Sequence, residues 1–231
     1  RGMASANSVW GNGASVLVGD FLFTKSFSLI VQDGNLRILE VISVGTTRMA
    51  EGEVMQLMKR RDPATAEKDY YHIVTNKTAV LISAACQIGG ILGAASPDQE
   101  KALADFGLNL GIAFQLMDDT LDYISVKETL GKAIGQDFNE GKITLPLIQT
   151  LKVCSPAEKE RLSQIIRDGD RRDGDLEVVI KTVKEYGGIE YTFQAAENFI
   201  EKAKNSLEPF PTSQEKEALL TLAEYAIRRK W

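Results

Sequence analysis

The chain has 231 residues, 44% hydrophobic and 26% charged, enough for one large globular domain or two small ones with a sizeable buried core. Its 27 basic and 32 acidic residues give a net charge of -5, an acidic excess that argues against a nucleic-acid partner, whose phosphates demand a basic face. Cys86 and Cys154 lack CxxC or Cys/His ligand spacing, so neither a zinc site nor a disulfide framework is indicated, and a reducing cytoplasmic setting is expected.

Apolar residues recur at three- and four-residue spacings along almost the whole chain, as in Leu36, Leu39, Val41 and Ile42 or Val54, Leu57 and Met58, and no alternating strand is evident. The spacing predicts helices near 14–32, 35–60, 65–95, 98–126, 144–153, 156–168, 173–186, 189–207 and 213–229, with the prolines at turns and helix starts. The expected fold is therefore all-α, in one domain over 1–231. The uncharged run from Thr78 to Pro97 approaches the length of a bilayer span. Gln87 in its middle, its many Ala, Gly and Ser residues, and Lys77 and Asp98 at its ends predict a closely packed central helix instead, and no membrane span. His72, the only histidine, has no partner histidine and is assigned no chemistry. RDGDRRDGD, from Arg167 to Asp175, reads as a solvated charged turn.

The stretch FQLMDDTLDY, from Phe114 to Tyr123, places Asp118, Asp119 and Asp122 inside an apolar helix. At about 100° per residue, Asp122 lies about 40°, Gln115 about 60° and Asp119 about 100° from Asp118. Leu110, Phe114, Met117 and Leu121 share the roughly opposite arc. A solvated acidic stripe is one reading, since short acidic clusters are common. The apolar flanks Ile112, Ala113 and Leu116 point to the other, a buried helix with a wet cavity along one side. Three carboxylates in such a cavity repel one another unless a cation joins them. Magnesium suits them, because it takes one or two carboxylates and completes its shell with waters and substrate phosphates. Phosphate partners follow in LGKAIGQDFNEGKITLP, where Lys132 and Lys142 stand on a glycine-punctuated loop. Gly135 to Thr144 is not a P-loop: five residues separate Gly135 from Gly141, and Ile143 stands where Ser or Thr is required.

FQLMDDTLDY, LGKAIGQDFNEGKITLPLI, NKTAVLI and the opening RGMASANSVWGNGASVLVGDFLF together resemble the trans-prenyltransferases of the polyprenyl diphosphate synthase family. The resemblance covers essentially the whole chain and rests on four separated blocks in family order. It implies an isoprenoid-synthase-like bundle of long antiparallel helices around a central cavity. It also implies a transferase that condenses isopentenyl diphosphate with an allylic prenyl diphosphate and releases pyrophosphate. Asp118, Asp119 and Asp122 would form the metal face for Mg2+, with Asp118 the direct ligand and Gln115 on the same arc toward substrate. Lys77 and Thr78 would hold the allylic diphosphate at a kinked helix, and Lys132 and Lys142 would complete that clamp. Asp137 would support the metal shell. Arg1 resembles the second arginine of the family's RRG, which contacts the homoallylic diphosphate. Catalytic roles fall to Lys77, Asp118 and Lys132. The segments Val16 to Ile30 and Ala79 to Leu92 would wall the tunnel for the growing chain, and SVWGNGASVLVGDFLF implies a long product. A cytoplasmic homodimer is expected.

The family's first aspartate-rich motif is absent, together with its amino-terminal helices, so a longer polypeptide carrying them before Arg1 is expected. Two alternatives stay open from the sequence: a non-catalytic subunit of a heteromeric synthase, and a terpene cyclase.

Overall fold

The computed structural model describes residues 3–124, 135–168 and 172–228. In chain order its helices are α1 (Ala6–Asp33), α2 (Leu36–Met58), α3 (Glu67–Val74), α4 (Val80–Leu92), α5 (Pro97–Ile124), α6 (Gln136–Asn139), α7 (Leu145–Val153), α8 (Pro156–Arg167), α9 (Asp175–Glu185), α10 (Gly188–Ser206) and α11 (Gln214–Arg228). A π-helical turn, Thr75–Ala79, joins α3 to α4. No strand occurs among the described residues, and the all-α expectation holds.

Three local differences from the sequence reading have physical causes. A short helical stretch from Ala6 precedes the helix expected near residue 14 and is separated from it by a break at Gly11 (φ 81°, ψ 163°), a conformation that only glycine adopts without strain. The single helix expected over 65–95 is interrupted at TNKTA by the π turn, a distortion that concentrates at functional sites. The loop after α5 contains the short helix α6, too brief for a periodic signal.

α5 is the central element, packed against α4, the π turn, α10, α11 and α7. Its start is fixed by a reciprocal cap: Ser96 Oγ accepts from the Gln99 N–H (3.3 Å) while Gln99 Oε1 accepts from the Ser96 N–H (3.0 Å), followed by Pro97 in the first turn. Phe106, Leu110 and Ala113 join one apolar cluster with α10 and α11, and Ile112, Leu116, Met117 and Tyr123 join a second with α3, α7, α8 and α9. The buried Glu100 of α5 is paired with Arg37 of α2 at 2.5 Å.

Small residues set the approach of the helices to the π turn. A Cβ on Gly52 would lie 2.7 Å from the Lys77 backbone N, and one on Gly111 would lie 2.6 Å from Ala79 Cα. The turn is thus clamped between α2 and α5 at backbone contact. Beside it, a cavity of about 340 Å³ lies between α2 and α4, walled by Val41, Val44, Val80, Ala84 and Ile91 with Arg37, Glu40, Arg48 and Gln87 among its polar lining. α4 was expected as a tunnel wall. α1, the other segment expected as a tunnel wall, does not line this cavity, whose second wall is α2.

α1 packs chiefly on α2, and none of its residues is buried; Trp10, Leu17 and Phe21 lie in the open. Among the described residues it is the one helix long and apolar enough to cross a membrane by length and composition. The run examined for that property in the sequence, from Thr78 onward, packs instead between α2 and α5.

Gly111→Ala is expected to cost about 1–3 kcal/mol through overpacking against Ala79, lowering Tm by roughly 3–10 °C. Gly89→Ala on α4, where a new Cβ meets nothing within 4 Å, should leave Tm unchanged or slightly raised. Thermal unfolding of the two variants checks the contrast.

Candidate active site

The carboxyl-terminal half of α5 brings Gln115, Asp118, Asp119 and Asp122 against the π turn on one side and α6 on the other. Met117 and Leu110 are buried on the opposite arc, as the wheel requires. The polar arc is not uniformly wet, however. Asp119 is only 5% exposed, more enclosed than Asp118 or Asp122.

Asp119 is held by neutral donors. Tyr70 Oη donates to its Oδ2 at 2.6 Å, and Gln115 Nε2 donates to its Oδ1 at 2.7 Å. With its Nε2 committed there, Gln115 turns Oε1 to the Thr78 hydroxyl, which donates to it at 3.0 Å. One polar chain therefore links Tyr70 on α3, Asp119 and Gln115 on α5, and Thr78 in the π turn. Burial, then the charge of Asp137, pushes the Asp119 carboxyl up to about 7, although the bonds from Tyr70 and Gln115 work the other way. Burial and the charge of Asp119 drive Tyr70 well above the usual phenol range, so it stays a donor.

Asp122 serves α6. Its Oδ1 and Oδ2 accept the backbone N–H groups of Gln136 (3.0 Å) and Asp137 (2.9 Å), and its carbonyl accepts from Gly135 N at 3.0 Å. Burial and Asp137 raise its pKa against those two N–H groups. Lys142 closes the far side, with Nζ 2.7 Å from Asp137 Oδ1 and 2.8 Å from Glu140 Oε2. Partial burial disfavours its ammonium, but the hydrogen bonds and charges of Asp137 and Glu140 outweigh that and hold it protonated above an ordinary lysine. The loop carrying Lys142 is pinned from behind by consecutive arginines. Arg60 Nε donates to the Glu140 carbonyl at 2.7 Å, and the Arg61 N–H, on a residue at φ 57°, donates to the Gly141 carbonyl at 2.8 Å.

The structure thus joins Thr78, Gln115 and Asp119 into one connected group and Asp122, Asp137 and Lys142 into another beside it. Lys77 is turned to α2, its Nζ 2.6 Å from Gln56 Oε1 and 2.8 Å from Glu53 Oε2. Among the described residues no three His, Cys, Asp or Glu side chains converge on a metal position. Arg1 and Lys132 lie outside the described residues. Tyr70, Glu53, Gln56 and the Arg60–Arg61 pair were not singled out from the sequence. Tyr70 reaches Asp119 from 49 positions away, and no local pattern announces such a pairing. His72 makes a 2.9 Å contact with Asn76, a local role within its own helix.

The Polyprenyl synthetase family model matches residues 1–183. The chain belongs to the polyprenyl synthetase family. It is 44% identical to the octaprenyl diphosphate synthase of Escherichia coli strain K12 over 229 residues, covering 99% of this chain and 71% of that one. A decaprenyl diphosphate synthase from Rhodobacter capsulatus superposes with a TM-score of 0.92 at 41% identity, covering 98% of this chain and 70% of its own. A polyprenyl synthase from Caulobacter crescentus, solved in complex with calcium and isoprenyl diphosphate, gives a TM-score of 0.94 at 39% identity, covering 99% and 70%. The bundle expected from the motifs is therefore the fold of this family, and the relatives are synthases rather than terpene cyclases.

The Asp119 carboxyl titrates near 7 in the fold against an ordinary 3.8, so its ionisation destabilises the folded state. Below about pH 4 both states hold the proton and the penalty vanishes; it grows as pH rises toward 7 and is complete above. In metal-free protein, Asp119→Asn should therefore raise Tm relative to wild type at pH 8, with the gain shrinking as pH falls to 4. A pH-independent difference in paired thermal melts would contradict this origin.

Proposed function

We propose that the protein is a magnesium-dependent trans-polyprenyl diphosphate synthase that extends an allylic prenyl diphosphate with isopentenyl diphosphate, releasing pyrophosphate at each condensation. The observation that carries this reading is the acidic helix α5: Asp119 is tied through Gln115 to Thr78 and Asp122 through Asp137 to Lys142, with Asp118 half-buried on the same arc. Membership of the family supports it.

The donor set suits a metal that keeps much of its own shell. The oxygens of Asp119 and Asp122 already accept hydrogen bonds from protein groups. Asp118, half-buried on the acidic arc, would hold Mg2+, in keeping with the ion's preference for one or two carboxylates plus waters and phosphate oxygens. When bound, the ion supplies charge stabilisation to the diphosphate oxygens. Thr78 and the ammonium groups of Lys77 and Lys142 bind and orient the allylic diphosphate; Lys77 exchanges its contacts with Glu53 and Gln56 for phosphate. As the bond from the allylic carbon to the diphosphate oxygen breaks, negative charge gathers on the leaving group, where these cations stand. The isopentenyl double bond attacks the allylic carbon, and loss of a proton completes the longer chain. Apolar walls keep water from the cationic carbon.

The same reading assigns the open apolar face of α1 to a second copy of the chain. Asp20 sits near the middle of that helix, and a carboxylate at the centre of a bilayer is costly. We read the assembly as a cytoplasmic homodimer, a reading supported by two free cysteines.

With magnesium, isopentenyl diphosphate and an allylic primer, the native protein should release pyrophosphate and form longer prenyl diphosphates. Asp118→Ala should lower turnover by about 10²-fold or more, and Lys142→Ala should raise the allylic KM or lower kcat. Near wild-type turnover by Asp118→Ala at saturating magnesium would overturn the assignment.

A further inference from the structure

We propose that Tyr70 is a positioning residue for the allylic diphosphate, acting through Asp119 and Gln115 on Thr78; the proposal rests on the diphosphate-site reading above. Tyr70 is buried in the core, 4% exposed, with its ring in an edge-on contact with Tyr71 at 5.8 Å between centroids. Packing alone would be served by phenylalanine. What the tyrosine adds is one hydroxyl, and that hydroxyl goes to Asp119.

The chain has a fixed direction. A phenol donates to a carboxylate, so Tyr70 occupies Oδ2 of Asp119 and leaves Oδ1 for the amide of Gln115. An amide that gives its NH2 group to Asp119 must present its oxygen to Thr78, whose hydroxyl then has one partner and one position. Each of the three bonds selects the orientation of the next. Thr78 lies in the π turn, where Gly52 and Gly111 hold the backbone at contact distance, so backbone and side chain are both set before a ligand arrives. A group ordered in advance spares the ligand the entropy of ordering it. Tyr70 itself is buried in the core and acts only through the chain.

A purely structural tyrosine and a relay make different predictions. Sites that share no contact combine independently, their effects multiplying to within about twofold. In the relay, removing either end removes the same function. The test is a cycle of Tyr70→Phe, Thr78→Val and the double variant in the native protein. Steady-state kinetics are measured together with calorimetric binding of inorganic pyrophosphate in magnesium. Tyr70→Phe should raise the allylic KM and the pyrophosphate Kd by about tenfold, with kcat and the isopentenyl diphosphate KM changed by less than about threefold. The double variant should bind no more than about twofold more weakly than Thr78→Val alone.

Unchanged affinity in Tyr70→Phe, effects that multiply in the double variant, or a shift confined to the magnesium requirement would each overturn the proposal. If Tyr70→Phe fails to fold, site-specific 3-fluorotyrosine at position 70 keeps the ring and hydroxyl while strengthening the donor. It should shift pyrophosphate affinity in the wild-type background and not in Thr78→Val; no shift in the wild-type background refutes the relay. Should the wild-type protein neither bind pyrophosphate nor extend an allylic primer, the functional reading falls and takes this inference with it. Should it do both while Tyr70→Phe behaves as wild type, only the inference falls.

Discussion

A carboxylate enclosed by protein, with no cation against it among the described residues, is the constraint around which this molecule is arranged. Asp119 has two neutral donors and a carboxylate neighbour, Asp137, whose charge makes its ionisation harder. Such a group is tolerated only if every lone pair in reach of a donor finds one and if positive charge is available nearby when needed. The structure meets the first condition with Tyr70 and Gln115. It approaches the second with Lys142, which is itself held by Asp137 and Glu140.

Backbone proximity does the complementary work. The π turn would be a liability in a free helix, since it gives up regular hydrogen bonding. Here it is wedged between two glycines on neighbouring helices, and the distortion points Lys77 and Thr78 in different directions: one toward α2, the other toward α5. Two adjacent side chains thereby serve two separate contacts, which a regular helix would also splay but could not bring so close to both partners.

How much of this was legible in the sequence follows from the range of the interactions. The helices were, because amphipathic spacing is local, and so was the acidic arc, because Gln115, Asp118, Asp119 and Asp122 share one helix. The kink at Gly11 was hidden, since GNG reads as a turn and only the surrounding helix shows that the chain runs on through it. The relay was hidden as well. Its members come from positions 70, 78, 115 and 119, and the bond that anchors it crosses 49 residues. The sequence also placed Asp119 on one metal face with Asp118 and Asp122. Its burial and its bonds to Tyr70 and Gln115 are features a helical wheel cannot express, because a wheel contains no neighbours.

The position of α5 in two apolar clusters has a further bearing on how the protein comes apart. Phe106, Leu110 and Ala113 belong to one cluster and Ile112, Leu116, Met117 and Tyr123 to the other, while Phe199 and Ile227 pack against both. Neither cluster can open without pulling on the helix that carries the aspartates, so the bundle core should melt as one cooperative unit. α1 stands outside that unit, fastened chiefly to α2 and burying none of its own side chains. In a single copy it can fray while the core stays intact, and its amide hydrogens should then exchange through small openings long before those of α5. The aspartates of α5 are thus housed in the last part of the molecule to unfold, and the broad apolar face in the first.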